Sequence, residues 1–472
     1  MQHGVAATGP ERSGRAPTGI TLAVVCAAQF MVVLDVSVVN VALPSIKDSL
    51  GFGDGDLQWV VNAYVLTFAG FLLLGGRLAD LAGRRRTFLV GLAIFSLSSL
   101  VGGLVSSAGM LVVARAIQGL GAAILAPSTL TILTASFPEG PRRTRAFATW
   151  TAVGIAGGTA GNLVGGVLTE YLSWRSILLI NVPIGLAAAL LAVRVIEADR
   201  LTRQRPRVDA GGAVLATAGL GTLAYGITLA ADRGWGARST VLTVSAGALL
   251  VIAFIVVEAR FTNSPLIPLK IFKSRSVSVG NIAIFLAGAS LNPMWYFLTL
   301  AMQNALGYSP VQTGLAFLPH TVVAIIIGVG VTPWLMARVD GRILIAGGAV
   351  IAAGGFWWQS QLSIESTYVS GILLPAILFS VGSGLLNTPI TAAVNSGIAP
   401  DEAGAASGVM NTMKQVGGAL GLAVLVTFAV ADDSDKSVLL AAYNRAFLAI
   451  AAILIITAAV ALALPARRDA KR

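Results

Sequence analysis

The sequence predicts an all-α polytopic membrane protein with about fourteen membrane-spanning helices. Of its 472 residues, 56% are hydrophobic and only 11% are charged, whereas a soluble chain carries about 25% charged residues. The mean hydropathy is +0.82. Apolar runs of about 20 residues, long enough to cross a bilayer, recur along the whole chain. With so few charges, lipid must be the solvent for much of the protein.

The apolar runs define the predicted spans and leave only short connections. At about 13 residues per connection, the remaining sequence is too short for a separate soluble domain. The first apolar run is too long for a signal-peptide core of about 7–15 residues, so we expect no cleavable leader. We place the spans at about 20–44, 57–76, 87–107, 109–134, 146–169, 175–193, 209–230, 239–257, 276–298, 312–336, 343–360, 368–393, 404–430 and 440–464.

The distribution of basic residues predicts the orientation. With the N-terminus inside, inner segments hold 24 of the 32 Lys and Arg residues, and outer loops hold five. Basic residues accumulate in cytoplasmic loops, so both termini are predicted to be cytoplasmic in the inner or plasma membrane. The net charge of +11 is spread over these short loops and therefore indicates membrane orientation rather than nucleic-acid binding.

A weak internal repeat suggests two halves. The connections at 76–85 and 336–342 each combine an acid, a glycine and arginines, and they are equivalent if the seventh and eighth helices are an inserted pair. Parallel repeats of this kind occur in transporters that bind substrate between the halves. We predict tails at 1–19 and 465–472, six-helix halves at 20–193 and 276–464, and a linker with two inserted helices at 194–275.

The segment Gly76–Arg86 is the most specific motif, with the spacing G-x-L-A-D-x-x-G-R-R-R. Glycines permit a tight turn and close packing where the second and third helices meet. The acid can bond the amides of a helix start or pair with an arginine. We expect the segment to pack on the start of the thirteenth helix, with its arginines facing Asp401 and Glu402. It would act as a gate formed by Gly76, Asp80, Gly83, Arg84 and Arg85.

Four ionisable residues lie inside predicted spans: Asp35, Arg115, His320 and Lys414. Such residues are expensive in lipid and are functional candidates by default. Asp35 lies about 22 Å from the inner end of its helix, and Arg115 about 9 Å below the outer end of its own. We expect both to lie in the outer half of the bilayer, where they could face one cavity and couple transport to protons. The alternatives are a structural ion pair, a satisfied core histidine at His320, and a Lys414 ammonium bonded to a helix carbonyl.

Polar residues within the spans are candidates for a substrate pathway. Each could instead make a hydrogen bond between helices. The candidates are Asn40, Tyr64, Gln118, Asn292, His320, Asn387, Asn411, Lys414 and Gln415.

The sequence carries no motif of an enzyme. His3 and His320 lie in a tail and a helix, and Cys26 is the single cysteine. No phosphate loop, metal cluster or nucleophile elbow is apparent. We therefore expect no cofactor, metal or ATP. The expected partners are a small-molecule substrate, protons and the lipid bilayer, with a monomeric protein and no nucleic acid.

Several motifs in order resemble the Major Facilitator Superfamily, specifically its fourteen-helix drug/proton antiporter branch. They are the segment Gly76–Arg86, L-D-V-S-V-V-N-V-A-L-P at 34–44, R-A-I-Q-G-L-G-A-A at 115–123, W-R-S-I-L-L-I-N-V-P-I-G at 174–185, and G-Y-S-P at 307–310 leading to L-P at 318–319. The resemblance covers nearly the whole chain. It implies two six-helix halves plus two extra helices, and proton-coupled efflux of small amphipathic or cationic drugs, including antibiotics.

One motif departs from the family pattern. The fifth helix of such exporters carries G-x-x-x-G-P-x-x-G-G, and here Asn162 stands where proline is expected. We expect the helix to keep its close packing without a proline kink, through a glycine face formed by Gly157, Gly161, Gly165 and Gly166. Two other functions stay open: the same fold moving another metabolite in either direction, and a membrane sensor or scaffold without transport.

Overall fold

The computed structural model describes residues 18–53, 55–138, 140–196, 209–262, 265–267, 269–396, 403–429 and 435–466. Within these ranges, the side chains of residues 18, 79–81, 231–232 and 403–405 are outside the description. The predicted ends of the chain and the acids Asp401 and Glu402 lie outside the described residues.

Fourteen helical segments are long and apolar enough to cross a membrane, which confirms the predicted fold class. In chain order, spans 1 to 14 are Gly19–Leu50, Trp59–Leu78, Arg84–Leu104, Ala108–Ser136, Pro141–Tyr171, Ser176–Val195, Ala210–Ala230, Arg238–Arg260, Arg275–Ala305, Pro310–Met336, Gly341–Gln359, Tyr368–Val394, Ala406–Phe428 and Lys436–Leu462. In four of them the helix itself extends further: Thr18–Leu50, Trp59–Ala82, Ala210–Arg233 and Ala403–Phe428.

Several spans are interrupted helices. Proline lacks an amide hydrogen and interrupts the helical ladder, and π-helical turns mark similar local irregularities. Span 6 consists of Ser176–Leu179 and Asn181–Val195. Span 9 consists of Arg275–Leu291, Pro293–Leu300 and a π turn, Ala301–Ala305. Span 10 consists of Pro310–Ala316, Leu318–Ile325, a π turn Ile326–Val331 and Thr332–Met336. Span 12 consists of a π turn, Tyr368–Leu373, followed by the α-helix Leu374–Val394. A separate 3₁₀ turn, Leu269–Lys273, precedes span 9.

Local sequence explains how two of the connections turn. Gly83 joins spans 2 and 3 with φ 89°, a left-handed value that favours glycine. In the connection to span 10, Gly307 has φ 74°. Ser309 and Gln312 then form a reciprocal capping box, with Pro310 in the first turn, an arrangement that satisfies the free amides of a helix start.

The spans pack in two groups with an additional hairpin between them. In spans 1–6, span 1 packs on span 5, and span 4 packs on spans 2 and 3. In spans 9–14, span 9 packs on span 13, and span 11 packs on spans 12 and 14. Spans 7 and 8 pack on each other, and span 7 also contacts spans 2 and 13. The hairpin therefore covers one side of the boundary between the two groups.

The two groups meet closely at the face away from Gly19 and Leu462, which are the first residue of span 1 and the last of span 14. It is here called the far face. One continuous hydrophobic cluster there combines residues of both groups, such as Leu43 and Ile46 of span 1 with Phe297 and Met302 of span 9. On the opposite side, here called the termini face, one cluster belongs to spans 1–6 and another mainly to spans 9, 11, 12 and 14. A third small cluster joins spans 2, 7 and 13. The groups are thus joined most extensively at the far face.

Candidate functional site

A buried ionic network lies at the centre of spans 1–6. Asp35 of span 1 is 0% exposed, and its Oδ2 accepts a hydrogen bond of 2.6 Å from Arg115 Nη1 of span 4. Its Oδ1 accepts two more bonds of 2.8 Å each, from Gln118 Nε2 and Asn181 Nδ2. Three donors from spans 4 and 6 therefore hold one carboxylate away from lipid.

Arg115 is equally enclosed. Its Nε donates to the Val60 carbonyl at 3.1 Å, and its Nη1 also donates to Gln118 Oε1 at 2.7 Å. The guanidinium carbon lies 4.5 Å from the centre of the Tyr64 ring, within the range of a cation–π contact. The planar guanidinium thus connects spans 1, 2 and 4 with donors in fixed directions.

The structure brings Asp35 and Arg115 together, as expected, but the expectation that both face one cavity is wrong. They are 0% and 2% exposed and lie inside the six-span group. Because a bare charge is very costly in a medium of low polarity, each neutralises the other there. Gln118 and Tyr64, predicted to line the pathway, belong to this buried network instead. Both are almost fully buried.

A cavity of about 180 Å³ lies between the two groups of spans. Its walls come from spans 1 and 2 on one side and spans 9 and 13 on the other. Val36 and Ser37, the two residues that follow Asp35, are part of its lining. Predicted pathway residues that line it are Asn40, Asn292, Lys414 and Gln415.

Lys414 is exposed to this cavity from the middle of span 13. It stands about 16 Å along its helix from Ala403, at 1.5 Å per residue. Among the residues that the structure describes, its ammonium group has no hydrogen-bond or ion-pair partner. The alternative that a helix carbonyl satisfies Lys414 is therefore not what the structure shows.

His320 of span 10 lies behind the cavity wall rather than in it. Its Nδ1 is hydrogen-bonded to the Ser380 hydroxyl. Its ring lies 5.0 Å from Trp295 and 4.8 Å from Phe379, measured between ring centres. Trp295 itself lines the cavity. His320 is thus a satisfied core histidine in this structure, one side chain removed from the pathway.

Two further pathway candidates lie outside the lining of the cavity. The Asn387 amide donates to the Ser383 carbonyl one turn earlier at 2.9 Å. Asn411 is exposed on span 13, three residues before Lys414. A helix rotates by about 100° per residue, so neighbouring polar positions point in different directions, and sequence alone did not separate the lining from the outer faces.

The predicted glycine face of span 5 packs against two different helices, span 1 and span 10. A Cβ on Gly157 would lie 2.9 Å from the Phe30 carbonyl, and one on Gly161 would lie 2.6 Å from the Ser37 Cβ. Gly165 approaches the Val38 backbone in the same way, so these three glycines allow close packing on span 1. Gly166 instead faces span 10, where a Cβ would lie 2.5 Å from the Pro310 carbonyl.

Span 5 is one continuous helix, Pro141–Tyr171, through Asn162. The Asn162 carbonyl lies against Gly314 of span 10. Near the far end of the same helix, Glu170 Oε2 accepts a hydrogen bond of 2.9 Å from the Val311 amide. Gln303 of span 9 donates to the Val41 carbonyl of span 1 at 2.8 Å. Together with the apolar cluster, these contacts join the two groups at the far face.

The predicted gating loop is described only in part. Gly76 lies near Pro127 of span 4 rather than between spans 2 and 3. Arg84 lines a cavity of about 710 Å³ at the termini face, together with Arg142 and Arg145 of span 5. Its predicted partners, Asp401 and Glu402, lie outside the described residues. Arg85 is half-buried at the start of span 3. The side chain of Asp80 lies outside the description.

Sequence reasoning missed several residues of the two sites, among them Asn181, Ser99 and Asn62. Asn181 and Ser99 complete the shell around Asp35: both Gln118 and Asn181 donate to Ser99 Oγ, at 3.2 and 3.0 Å. Asn62 lines the cavity from span 2. A polar residue inside an apolar span was the available signal, and Asn181 also lies within the motif at 174–185. Within the described part of the chain, no group of three or more His, Cys, Asp or Glu residues could hold a metal ion.

Fourteen spans around a cavity between two helical groups, with a buried ion pair beside it, are the features of a membrane transporter and not of an enzyme. The chain belongs to the Major Facilitator Superfamily, whose family model matches residues 25–422, so the resemblance is confirmed. It is 53% identical over 460 residues to the cephamycin export protein of Amycolatopsis lactamdurans, covering 96% of this chain and 94% of that protein.

A second relative and a solved structure agree with the family. The puromycin resistance protein of Streptomyces alboniger is 41% identical over 411 residues, covering 86% of this chain and 80% of that protein. The crystal structure of a POT peptide transporter in complex with sulfate matches with a TM-score of 0.70 at 16% identity, over 96% of this chain and 95% of the other. This last similarity shows the fold alone. The protein is therefore a multi-pass secondary transporter of the cell membrane.

Proposed function

We propose that this protein exports small amphipathic antibiotics and that protons flowing inward drive the export. The observation that carries the proposal is the continuity of the two sites along span 1. Asp35 is the buried carboxylate, and the next two residues, Val36 and Ser37, line the cavity. A substrate that moves this part of span 1 would also move the carboxylate relative to Arg115. Cephamycin export and puromycin resistance, the functions of the two relatives, support antibiotics as the substrate class.

The proton cycle follows from the chemistry of the pair. In this structure Arg115 Nη1 lies 2.6 Å from Asp35 Oδ2, so the carboxylate is in contact with its counter-charge. If the groups separate, an enclosed carboxylate without its counter-charge takes up a proton, because burial favours the neutral form. Gln118 and Asn181 donate hydrogen bonds to the carboxylate. Loading from outside and release inside would then drive substrate in the opposite direction.

Alternating access would require the far-face contacts to open. We propose that residues 20–193 and 276–464 move as two bodies, that spans 7 and 8 within 194–275 follow them, and that both termini are cytoplasmic. The far face, where the two groups are joined in this structure, would then be the outer face. The segment Gly76–Arg85 would act as an inner gate, and the protein would work as a monomer.

Transport in sealed inside-out vesicles tests the proposal. Vesicles that contain the protein should accumulate cephamycin or puromycin when the vesicle lumen is made more acidic than the medium. An ionophore that collapses this pH gradient should stop the accumulation. Adding the antibiotic should in turn dissipate the gradient. Accumulation of neither compound above empty vesicles would reject antibiotic export. Accumulation that is indifferent to the gradient would reject proton coupling alone.

A further inference from the structure

The central cavity has an unbalanced charge. Of the side chains that line it within the described chain, Lys414 is the one of a charged residue type. Asp35 precedes two lining residues, but its carboxylate is turned to Arg115 and is 0% exposed. The Asp35–Arg115 pair is neutral as a whole. The described cavity therefore presents a single positive charge at the depth of the membrane interior.

Lys414 is accompanied by unused hydrogen-bonding groups. The side-chain amides of Asn292 and Gln415, which line the cavity with it, make no hydrogen bond to any residue that the structure describes. Asn62 Oδ1 is buried without a partner, although its Nδ2 donates to Gln58. Polar groups away from bulk water are costly until they are paired. These groups are available to a ligand with a negative oxygen and a hydrogen-bond donor.

Apart from Ser37 and Asn40, the rest of the wall is apolar or aromatic. Trp295 lines the cavity and is held from behind by Phe317 at 4.7 Å and His320 at 5.0 Å, between ring centres. Pro293 and Leu422 add apolar surface. Pockets for drug-sized ligands have volumes of about 300–1,000 Å³, so the cavity of about 180 Å³ must widen as the two groups of spans separate. Such a wall suits the apolar body of an amphipathic molecule.

We infer that the substrates of this transporter are amphipathic carboxylates, bound with the carboxylate on Lys414 and the apolar body against Trp295. This inference rests on the proposed export function and narrows it. The resemblance to drug antiporters led us to expect amphipathic or cationic compounds. A cation would meet Lys414 in a cavity whose described lining offers no carboxylate, whereas an anion neutralises it and forms charge-assisted hydrogen bonds.

Binding to the purified full-length protein in detergent tests this inference. The probes are a cephalosporin with one free carboxylate and the same compound as its neutral methyl ester. We expect the wild type to bind the acid at least about tenfold more tightly than the ester, a difference of about 1.4 kcal/mol. Lys414→Gln should bring the two Kd values within about twofold, and Lys414→Arg should keep most of the preference because it keeps the charge.

Lys273→Gln is the matched control, since it removes an exposed lysine outside the spans and should leave the preference unchanged. Equal binding of acid and ester by the wild type, or an unchanged preference in Lys414→Gln, would overturn the inference. If Lys414→Gln does not fold, the wild-type ratio of acid to ester decides. Failure to bind either probe while vesicles still accumulate cephamycin or puromycin would reject the carboxylate site and leave the export function standing.

Discussion

Asp35 Oδ2 and Arg115 Nη1 are 2.6 Å apart in a region closed to both cavity and lipid. The pair links span 1 to span 4, and span 1 also reaches the far-face contact between the two groups, where Gln303 donates to the Val41 carbonyl. One helix therefore carries the ion pair, part of the cavity wall and part of the closed face. This arrangement makes the pair the first place to test coupling.

Asp35→Asn should abolish accumulation driven by a pH gradient, because the amide cannot carry the proton. It also leaves the Arg115 charge buried and unpaired, which costs about 3–5 kcal/mol. We expect a lower melting temperature in detergent. The double variant Asp35→Asn with Arg115→Gln should recover part of that temperature but no accumulation, which separates folding from coupling. Asp35→Glu should retain some transport. If Asp35→Asn accumulated substrate at the wild-type rate, Asp35 would be excluded as the proton carrier. Lys414 and His320 would then be tested next.

Arg115→Lys should impair transport although it preserves the charge. The guanidinium bonds Asp35, Gln118 and the Val60 carbonyl at once, and a compact ammonium cannot reproduce this fork. We expect a loss of about 1–3 kcal/mol in stability, the cost of leaving buried groups unsatisfied. Thermal unfolding and vesicle transport measure the two effects. The control Arg194→Lys, at an exposed arginine in span 6, should change neither stability nor transport. If Arg115→Lys also changed neither, the guanidinium geometry would not be required.

Gly166→Ala should hold the far face open. Its Cβ would lie 2.5 Å from the Pro310 carbonyl, closer than side chains pack, so spans 5 and 10 would have to separate. A cysteine placed at Asn292 in a Cys26→Ala background should then react faster with an impermeant maleimide added from the far side, and transport should fall. Gly158→Ala is the control, because its Cβ would meet Val33 at an ordinary 3.5 Å. Equal labelling in both variants would exclude Gly166 from closure.

Sidedness is tested by reporters at three positions. Fusions at Arg12 and after Ala470 should report a cytoplasmic location. An epitope after Gly234 should be accessible from outside, since this glycine lies in an exposed turn with φ 81° between spans 7 and 8. An external C-terminal reporter would contradict an even number of spans, and an internal epitope at the turn would reverse the proposed orientation.

The spans and the family were predictable from sequence for physical reasons. A helix in lipid must satisfy every backbone hydrogen bond within itself and be apolar for about 20 residues. Both properties depend only on residues that are consecutive in the chain. The turn at Gly83 and the start of span 10 at Ser309 are equally local. Intramembrane charges are rare, so Asp35, Arg115 and Lys414 could be selected as candidates.

Composition and local pattern determined by themselves that this chain crosses the membrane fourteen times and which residues deserve a functional test. Only the tertiary structure decided which of them meet. It enclosed Asp35 with Arg115, Gln118 and Asn181, exposed Lys414 to the cavity, and placed His320 behind Trp295. These outcomes depend on the rotation of each helix about its axis and on which spans become neighbours. Contacts between residues far apart in sequence set both, and in lipid the hydrophobic pattern does not mark the inward face of a helix, because the membrane is as apolar as the protein interior.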